Sequence, residues 1–281
     1  MNFNKQTLQS LEKKASTLRG NIIYSVGVGY TGHIGGSFSS ADIVAALYFH
    51  KMKHSPQDRY MAGRDRFVLS KGHVAILQYA ALAESGYFPK ADLADTKKIG
   101  SILQGHPDLV KTGHLGIEAG TGSLGQGLSI GVGMALALKL DKTDAKVYVL
   151  IGDGELAEGQ IWEAAMSAAV FGTDNLVAII DKNSKQAQGT VVDRFNIENV
   201  KEKWESFGWR TIEIDGHNME QILEALYAAD ESAGKPTAII ANTIKGKGLD
   251  IAEAHPAGFH NAALTQEQYD RAMVMFAGGG E

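Results

Sequence analysis

The 281 residues allow one large domain, and at 44% hydrophobic and 21% charged the chain has the composition of a soluble globular protein. A net charge of −5 argues against nucleic acid or an anionic membrane as the main partner. The absence of cysteine excludes disulfides, thiolate nucleophiles and thiolate zinc sites, which suits a cytoplasmic protein.

Residues 6–24 place Leu8, Leu11, Leu18 and Ile22 at helical spacing and predict an amphipathic helix. The segment from Met1 to Gly20 lacks the apolar core of a signal peptide, and no apolar run is long enough for a membrane span. Residues 41–49 predict a second helix, with Ser39 or Ser40 as its cap. A short strand at 66–70 and a helix at 74–85 follow, then a helix and turn over 88–99. Residues 104–127 form a glycine-rich loop, and loops of that length inside a compact domain are usually functional. Residues 128–140 carry Gly131, Gly133, Ala135 and Ala137, so this helix is expected to pack closely against something. Strands at 147–151 and 176–180 flank a helical stretch at 158–166. A short helix at 200–207, a strand at 210–214, a helix at 219–230 and a strand at 237–241 complete the pattern. The alternation predicts an α/β fold, a mainly parallel sheet with helices on both faces. No composition break divides the chain, so residues 1–276 read as a single domain with 277–281 as a flexible tail.

Gly152-Asp153-Gly154 follows one strand, and Asn183 follows the next. Oxygen ligands at the carboxyl ends of neighbouring parallel strands lie where α/β sheets bind ligands. One carboxylate and one amide oxygen suit a hard cation such as Mg²⁺, which can hold a phosphate group. Two G-x-G-x-x-G segments start at Gly27 and Gly120, but neither follows a strand, so neither reads as a dinucleotide site. Five of the nine histidines (His33, His73, His106, His114 and His217) sit beside glycine or at a strand end. Imidazoles there can bond phosphate or sugar oxygens and move protons near neutral pH. Glu158 and Glu163 are five residues apart on one helix. Two readings stand side by side for them: a solvated face with an acid favouring the helix dipole, or a partly buried functional pair.

The metal motif resembles that of the thiamine-diphosphate fold. Further segments resemble transketolase in particular, and in the same order. They are Thr31-Gly32-His33-Ile34-Gly35-Gly36, Leu69-Ser70-Lys71-Gly72-His73, Gln104-Gly105-His106-Pro107, Thr121-Gly122-Ser123-Leu124-Gly125-Gln126-Gly127, and Lys245-Gly246-Lys247-Gly248 followed by Phe259-His260-Asn261. The resemblance runs from about Leu8 to Phe276 and covers the first domain of a transketolase, the diphosphate-binding one. The second domain, which binds the aminopyrimidine and carries its activating glutamate, has no counterpart here. The resemblance thus implies the N-terminal subunit of a split transketolase, working with a separate pyrimidine-domain chain in a two-plus-two assembly.

By matching position, Asp153, Asn183 and the Lys185 carbonyl are implied ligands of Mg²⁺ or Ca²⁺. His73, Gly154 and His260 are implied at the diphosphate, with Gly122 also counted among the cofactor residues. Leu124 and Asp181 are implied near the thiazolium. His33 and His106 would face the substrate as catalytic donors, joined in that role by His260. Glu158 and Glu163 match family acids near the subunit interface, with Glu158 counted toward the cofactor. The cofactor supplies the carbon–carbon chemistry, while the protein anchors the diphosphate and offers donors to developing negative charge. The chain departs from the family in the polar loop Ser184-Lys185-Gln186-Ala187-Gln188-Gly189 and in Ile34, where proline is common. A backbone carbonyl ligand tolerates any side chain. Three other readings stand: a subunit for an unusual branched or sulfonated ketose, a non-catalytic cofactor-binding or regulatory protein, and a decarboxylase or ketoacid dehydrogenase subunit. The last shares the metal motif without the histidine set.

Overall fold

Five strands form one parallel sheet in a computed structural model that describes residues 3–195 and 197–277. They are β1 (Arg66–Leu69), β2 (Val147–Gly152), β3 (Leu176–Lys182), β4 (Arg210–Asp215) and β5 (Thr237–Asn242), in the order β1-β2-β3-β5-β4. The longer helices are α1 (Lys5–Val26), α2 (Ile34–Ser39), α3 (Ala41–Ala46), α4 (Ala75–Glu84), α5 (Gln126–Leu140), α6 (Gly159–Val170), α7 (Val200–Ser206), α8 (Met219–Ala228) and α9 (Gln266–Ala277). This is the expected α/β architecture.

Alternation along the strands makes two cores. Phe67, Leu69, Tyr148, Leu150, Val177, Ile179 and Ile239 point to one face, which α1 to α4, α8 and α9 cover. Val68, Val147, Val149, Ile151, Ala178, Ile180 and Ile240 point to the other, which α5 to α7 cover. Sheets buried on both faces read as unbroken apolar runs, and β2 and β3 do so. Each fully buried aliphatic side chain contributes roughly 1.5–3 kcal/mol. Two glycines of α5 serve close packing: a Cβ on Gly127 would lie 2.4 Å from Ser70 Oγ and one on Gly131 2.5 Å from Val149 Cγ2, whereas one on Gly133 would meet nothing within 4 Å.

Several expectations change in detail. The 88–99 helix shrinks to a 3₁₀ segment, Lys90–Asp95, because Leu93 is its one fully buried apolar side chain and no stripe sustains a longer helix. The 41–49 helix continues past Ala46 as a π-helical turn, Leu47–Lys51. The glycine-rich loop contains short helical turns at Leu109–Thr112 and Gly113–Leu115, and α5 begins within it at Gln126. Ser40 stands at the N-cap position of α3 without a side-chain capping bond, since its hydroxyl accepts from Lys71 instead. Among the described residues no helix is long and apolar enough to cross a membrane. Helix α9 includes Ala277, and the rest of the expected tail lies outside the described residues.

Candidate active site

Strands β2 and β3 run in register, with Gly152 beside Asp181. The chain leaves both strands at the same edge, which brings Asp153 and Asn183 together. Asp153 is 2% exposed. One of its oxygens accepts the Gly154 N–H at 2.7 Å and the other accepts the Ser184 N–H. Burial and the nearby Asp181 charge push its carboxyl up to about 7. Asn183 donates to Asp181 at 2.9 Å, and its Oδ1 accepts the Lys185 N–H at 3.1 Å.

Asp181 is fully buried and acts as a hub beneath the site. It accepts from Lys71 Nζ at 2.6 Å, from Ser39 Oγ at 2.7 Å and from Thr243 Oγ1. Burial alone would raise its carboxyl, but the Lys71 ammonium and these donors hold it below the ordinary range. Lys71 completes its own set with the Ser40 hydroxyl at 2.7 Å and the Gly36 carbonyl at 2.9 Å. Buried Glu155 ties three loops, accepting from Ser70 Oγ, from Gly125 N at 2.7 Å and from Gly152 N at 3.2 Å.

His33, His73 and His260 form a triangle, with ring centroids 4.8 Å apart for His33 and His73, 5.2 Å for His33 and His260, and 5.3 Å for His73 and His260. Burial, reinforced by neighbouring imidazoles and lysines, lowers His33 to about 4 and His73 to about 2, and burial with Lys245 and Lys71 lowers His260 to about 4. All three are therefore neutral near pH 7, able to donate or accept without added charge. Lys245 is 3% exposed and reaches His260 Nδ1 at 3.0 Å and the Lys185 carbonyl at 3.2 Å. Burial lowers its ammonium to about 8.

A cavity of about 320 Å³ opens at this edge of the sheet. His33, His73, Gly122, Leu124, Asp153, Gly154, Asn183, Lys185 and His260 all border it. Asp181 lies under its floor through the bonds to Lys71 and Asn183. Exposed His106 borders an adjoining groove of about 790 Å³, which shares Gly122 with the cavity. A Cβ on Gly122 would lie 3.1 Å from the His106 ring, so glycine lets that ring lie against the loop. Glu158 and Glu163 are exposed and neither borders the cavity. Glu158 stands at the start of α6, packed against Gly125. His114 is exposed on its short turn, and His217 also stands apart from the cavity. The sequence reading did not assign Lys71, Glu155, Gln186 or Lys245 to the site. The two lysines stand within quoted motifs, and glycine beside lysine was their available signal.

The donor set fits a phosphate-holding cation. Among the described residues no group of three or more His, Cys, Asp or Glu side chains is arranged to hold a metal. Asp153, Asn183 and the Lys185 carbonyl offer oxygen donors alone, the kind a hard cation takes, and all three residues border the cavity. Two further observations suit an anionic, oxygen-rich ligand: the lysine ammoniums on the wall, and His33 Nδ1 and Gln186 Nε2, buried polar atoms without a partner.

Residues 11–276 match the family described as "Transketolase, thiamine diphosphate binding domain". The chain is 44% identical over 264 residues to the 6-deoxy-6-sulfo-D-fructose transketolase subunit SqwG of Clostridium sp. (strain MSTE9), covering 94% of this chain and 95% of that one. It is 41% identical over 266 residues to an apulose-4-phosphate transketolase subunit of Phocaeicola vulgatus, covering 95% and 93%. Among solved structures, transketolase from Campylobacter jejuni superposes with a TM-score of 0.87 at 35% identity, covering 99% of this chain and 43% of that one. The chain thus spans less than half the length of that transketolase and nearly the whole length of the two relatives named as subunits. It belongs to the transketolase family, as an N-terminal subunit built on the thiamine diphosphate-binding domain.

Proposed function

We propose that this chain supplies the diphosphate half of a transketolase active site, moving a two-carbon ketol unit from a ketose phosphate to an aldose phosphate with a separate pyrimidine-domain chain. The observation that carries this reading is the meeting of Asp153, Asn183 and the His33–His73–His260 triangle on one cavity. Bound thiamine diphosphate would supply an electron sink for breaking the bond beside a ketose carbonyl. Asp153, Asn183 and the Lys185 carbonyl would hold Mg²⁺ or Ca²⁺, and His73, Gly154 and Lys245 would face the diphosphate. Neutral His33 and His260, with His106 at the groove, would donate to substrate oxygens as negative charge develops there. The walls around Leu124 would limit water at that point.

Assembly is part of the reading. Helix α6 and the turn after it expose Met166, Val170 and Phe171, an apolar strip suited to a second copy of the chain. Two copies with two partner chains would then make a heterotetramer. The cysteine-free composition suits the reducing cytoplasm. The relatives named for 6-deoxy-6-sulfo-D-fructose and apulose-4-phosphate favour a second reading of the substrate, a specialised ketose. A donor panel tried on the assembled complex separates the two.

Isothermal calorimetry with thiamine diphosphate and Mg²⁺ tests the site directly. The intact chain should bind both together, and Asp153→Ala should abolish the metal-dependent part. Equal binding by Asp153→Ala would remove the metal assignment.

A further inference from the structure

His217 lies outside the cavity, yet both of its ring nitrogens are committed. Nδ1 is 2.8 Å from Asp42 Oδ2, and Nε2 accepts the backbone N–H of Ile244 at 2.8 Å. An amide can only donate, so Nε2 carries the lone pair and Nδ1 carries the proton. Asp42 is in turn gripped by Arg19, whose two terminal nitrogens donate at 3.2 and 2.6 Å. Arg19 also donates to the Phe38 carbonyl at 3.1 Å. This chain of bonds therefore runs from α1 through α3 to the turn after β4, buried at Arg19 and Asp42 and half-buried at His217, and ends on the exposed backbone after β5.

That last segment delivers Lys245. Thr243 N donates to the Lys182 carbonyl at 3.1 Å, and Gly246 N donates to the Gly35 carbonyl at 3.0 Å. Between them, Ile244 N has His217 as its partner, one residue before the lysine. The two turns are also interlocked sterically, since a Cβ on Gly216 would lie 2.4 Å from Thr243 Cγ2. The Lys245 ammonium then projects to His260 and to the Lys185 carbonyl. A long, flexible side chain is held at one point in a cavity only if its own backbone is fixed.

We propose that His217 is a positioning residue for Lys245, using the Arg19–Asp42 pair as a brace so that the ammonium stands ready for the cofactor's diphosphate. The inference rests on the cofactor reading above for its ligand and on hydrogen-bond geometry for the brace. Its Asp–His–amide chain needs a neutral ring with an acceptor at Nε2. Glutamine at 217 can present an acceptor at that reach, whereas alanine cannot.

The test uses the full chain with His217→Ala, His217→Gln, Lys245→Ala and the double alanine variant. Amide hydrogen exchange by mass spectrometry follows residues 243–248 against residues 237–242, and calorimetry follows thiamine diphosphate with Mg²⁺. In His217→Ala, exchange over 243–248 should quicken by about tenfold or more while β5 keeps its protection. Cofactor affinity should fall about as far as in Lys245→Ala, with no further loss in the double variant, because the two changes remove one interaction. His217→Gln should restore much of both. Unchanged exchange over 243–248 in His217→Ala overturns the proposal, and so does an additive loss of affinity in the double variant. Should the unmodified chain bind no cofactor, the functional reading fails instead, and the exchange measurement still decides whether His217 braces the segment.

Discussion

The Lys71 ammonium lies 2.6 Å from a carboxylate oxygen of Asp181, and both side chains are sealed from solvent. The pair joins the loop after β1 to the end of β3, two strands away in the sheet. Removing one partner of such a pair leaves the other charge buried and unpaired, which costs about 3–5 kcal/mol. Lys71→Met should therefore destabilise the chain by about that much, and Lys71→Met with Asp181→Asn should recover a large part. Urea unfolding of the three proteins checks this. A single-variant loss within about 0.5 kcal/mol would show that the pair is not needed for the fold.

Two glycines of α5 should respond with opposite signs. Gly131 abuts Val149, so Gly131→Ala should overpack the core and destabilise by about 1–3 kcal/mol. Gly133 faces open space on the same helix, so Gly133→Ala should stabilise by about 0.5–1 kcal/mol through propensity. Thermal or denaturant melts give both values, and equal signs would contradict the packing described for α5.

The histidine triangle sets a pH dependence. His33, His73 and His260 all lie well below the ordinary 6.5 when folded. Below pH 6.5 the unfolded chain takes up protons that the folded chain cannot, so folding stability should fall as pH drops from 6.5 toward 4. Above 6.5 these groups contribute no slope. Replacing His73 by glutamine should flatten the acid limb in urea titrations run across this range.

In the complex reconstituted with its partner chain, His33→Ala and His106→Ala should each slow turnover by about 10²–10³-fold with only modest loss of cofactor affinity. Steady-state kinetics alongside calorimetry separates the two effects. A loss confined to cofactor binding would move either residue from the substrate to the cofactor.

The sheet was readable because β2 and β3 are unbroken apolar runs that end in Gly152-Asp153 and Asp181-Lys182-Asn183. Ligand-bearing residues at such ends follow from topology alone. The two site lysines were not readable in the same way. Lysine is almost never buried without a partner, and the partner of Lys71 lies 110 residues further along the chain. Serines 39 and 40 looked like helix caps because the local pattern is the same, while their hydroxyls in fact serve Asp181 and Lys71. The segment after Phe88 misled through composition: it has helix formers but one fully buried leucine, and packing decides helix length.

Ketol transfer measured on the purified chain with thiamine diphosphate and Mg²⁺, alone and mixed with a separately produced pyrimidine-domain subunit, tests the central claim most directly. The account predicts turnover in the mixture only, and its loss when Asp153→Ala replaces the unmodified chain. Robust turnover by this chain alone would contradict it.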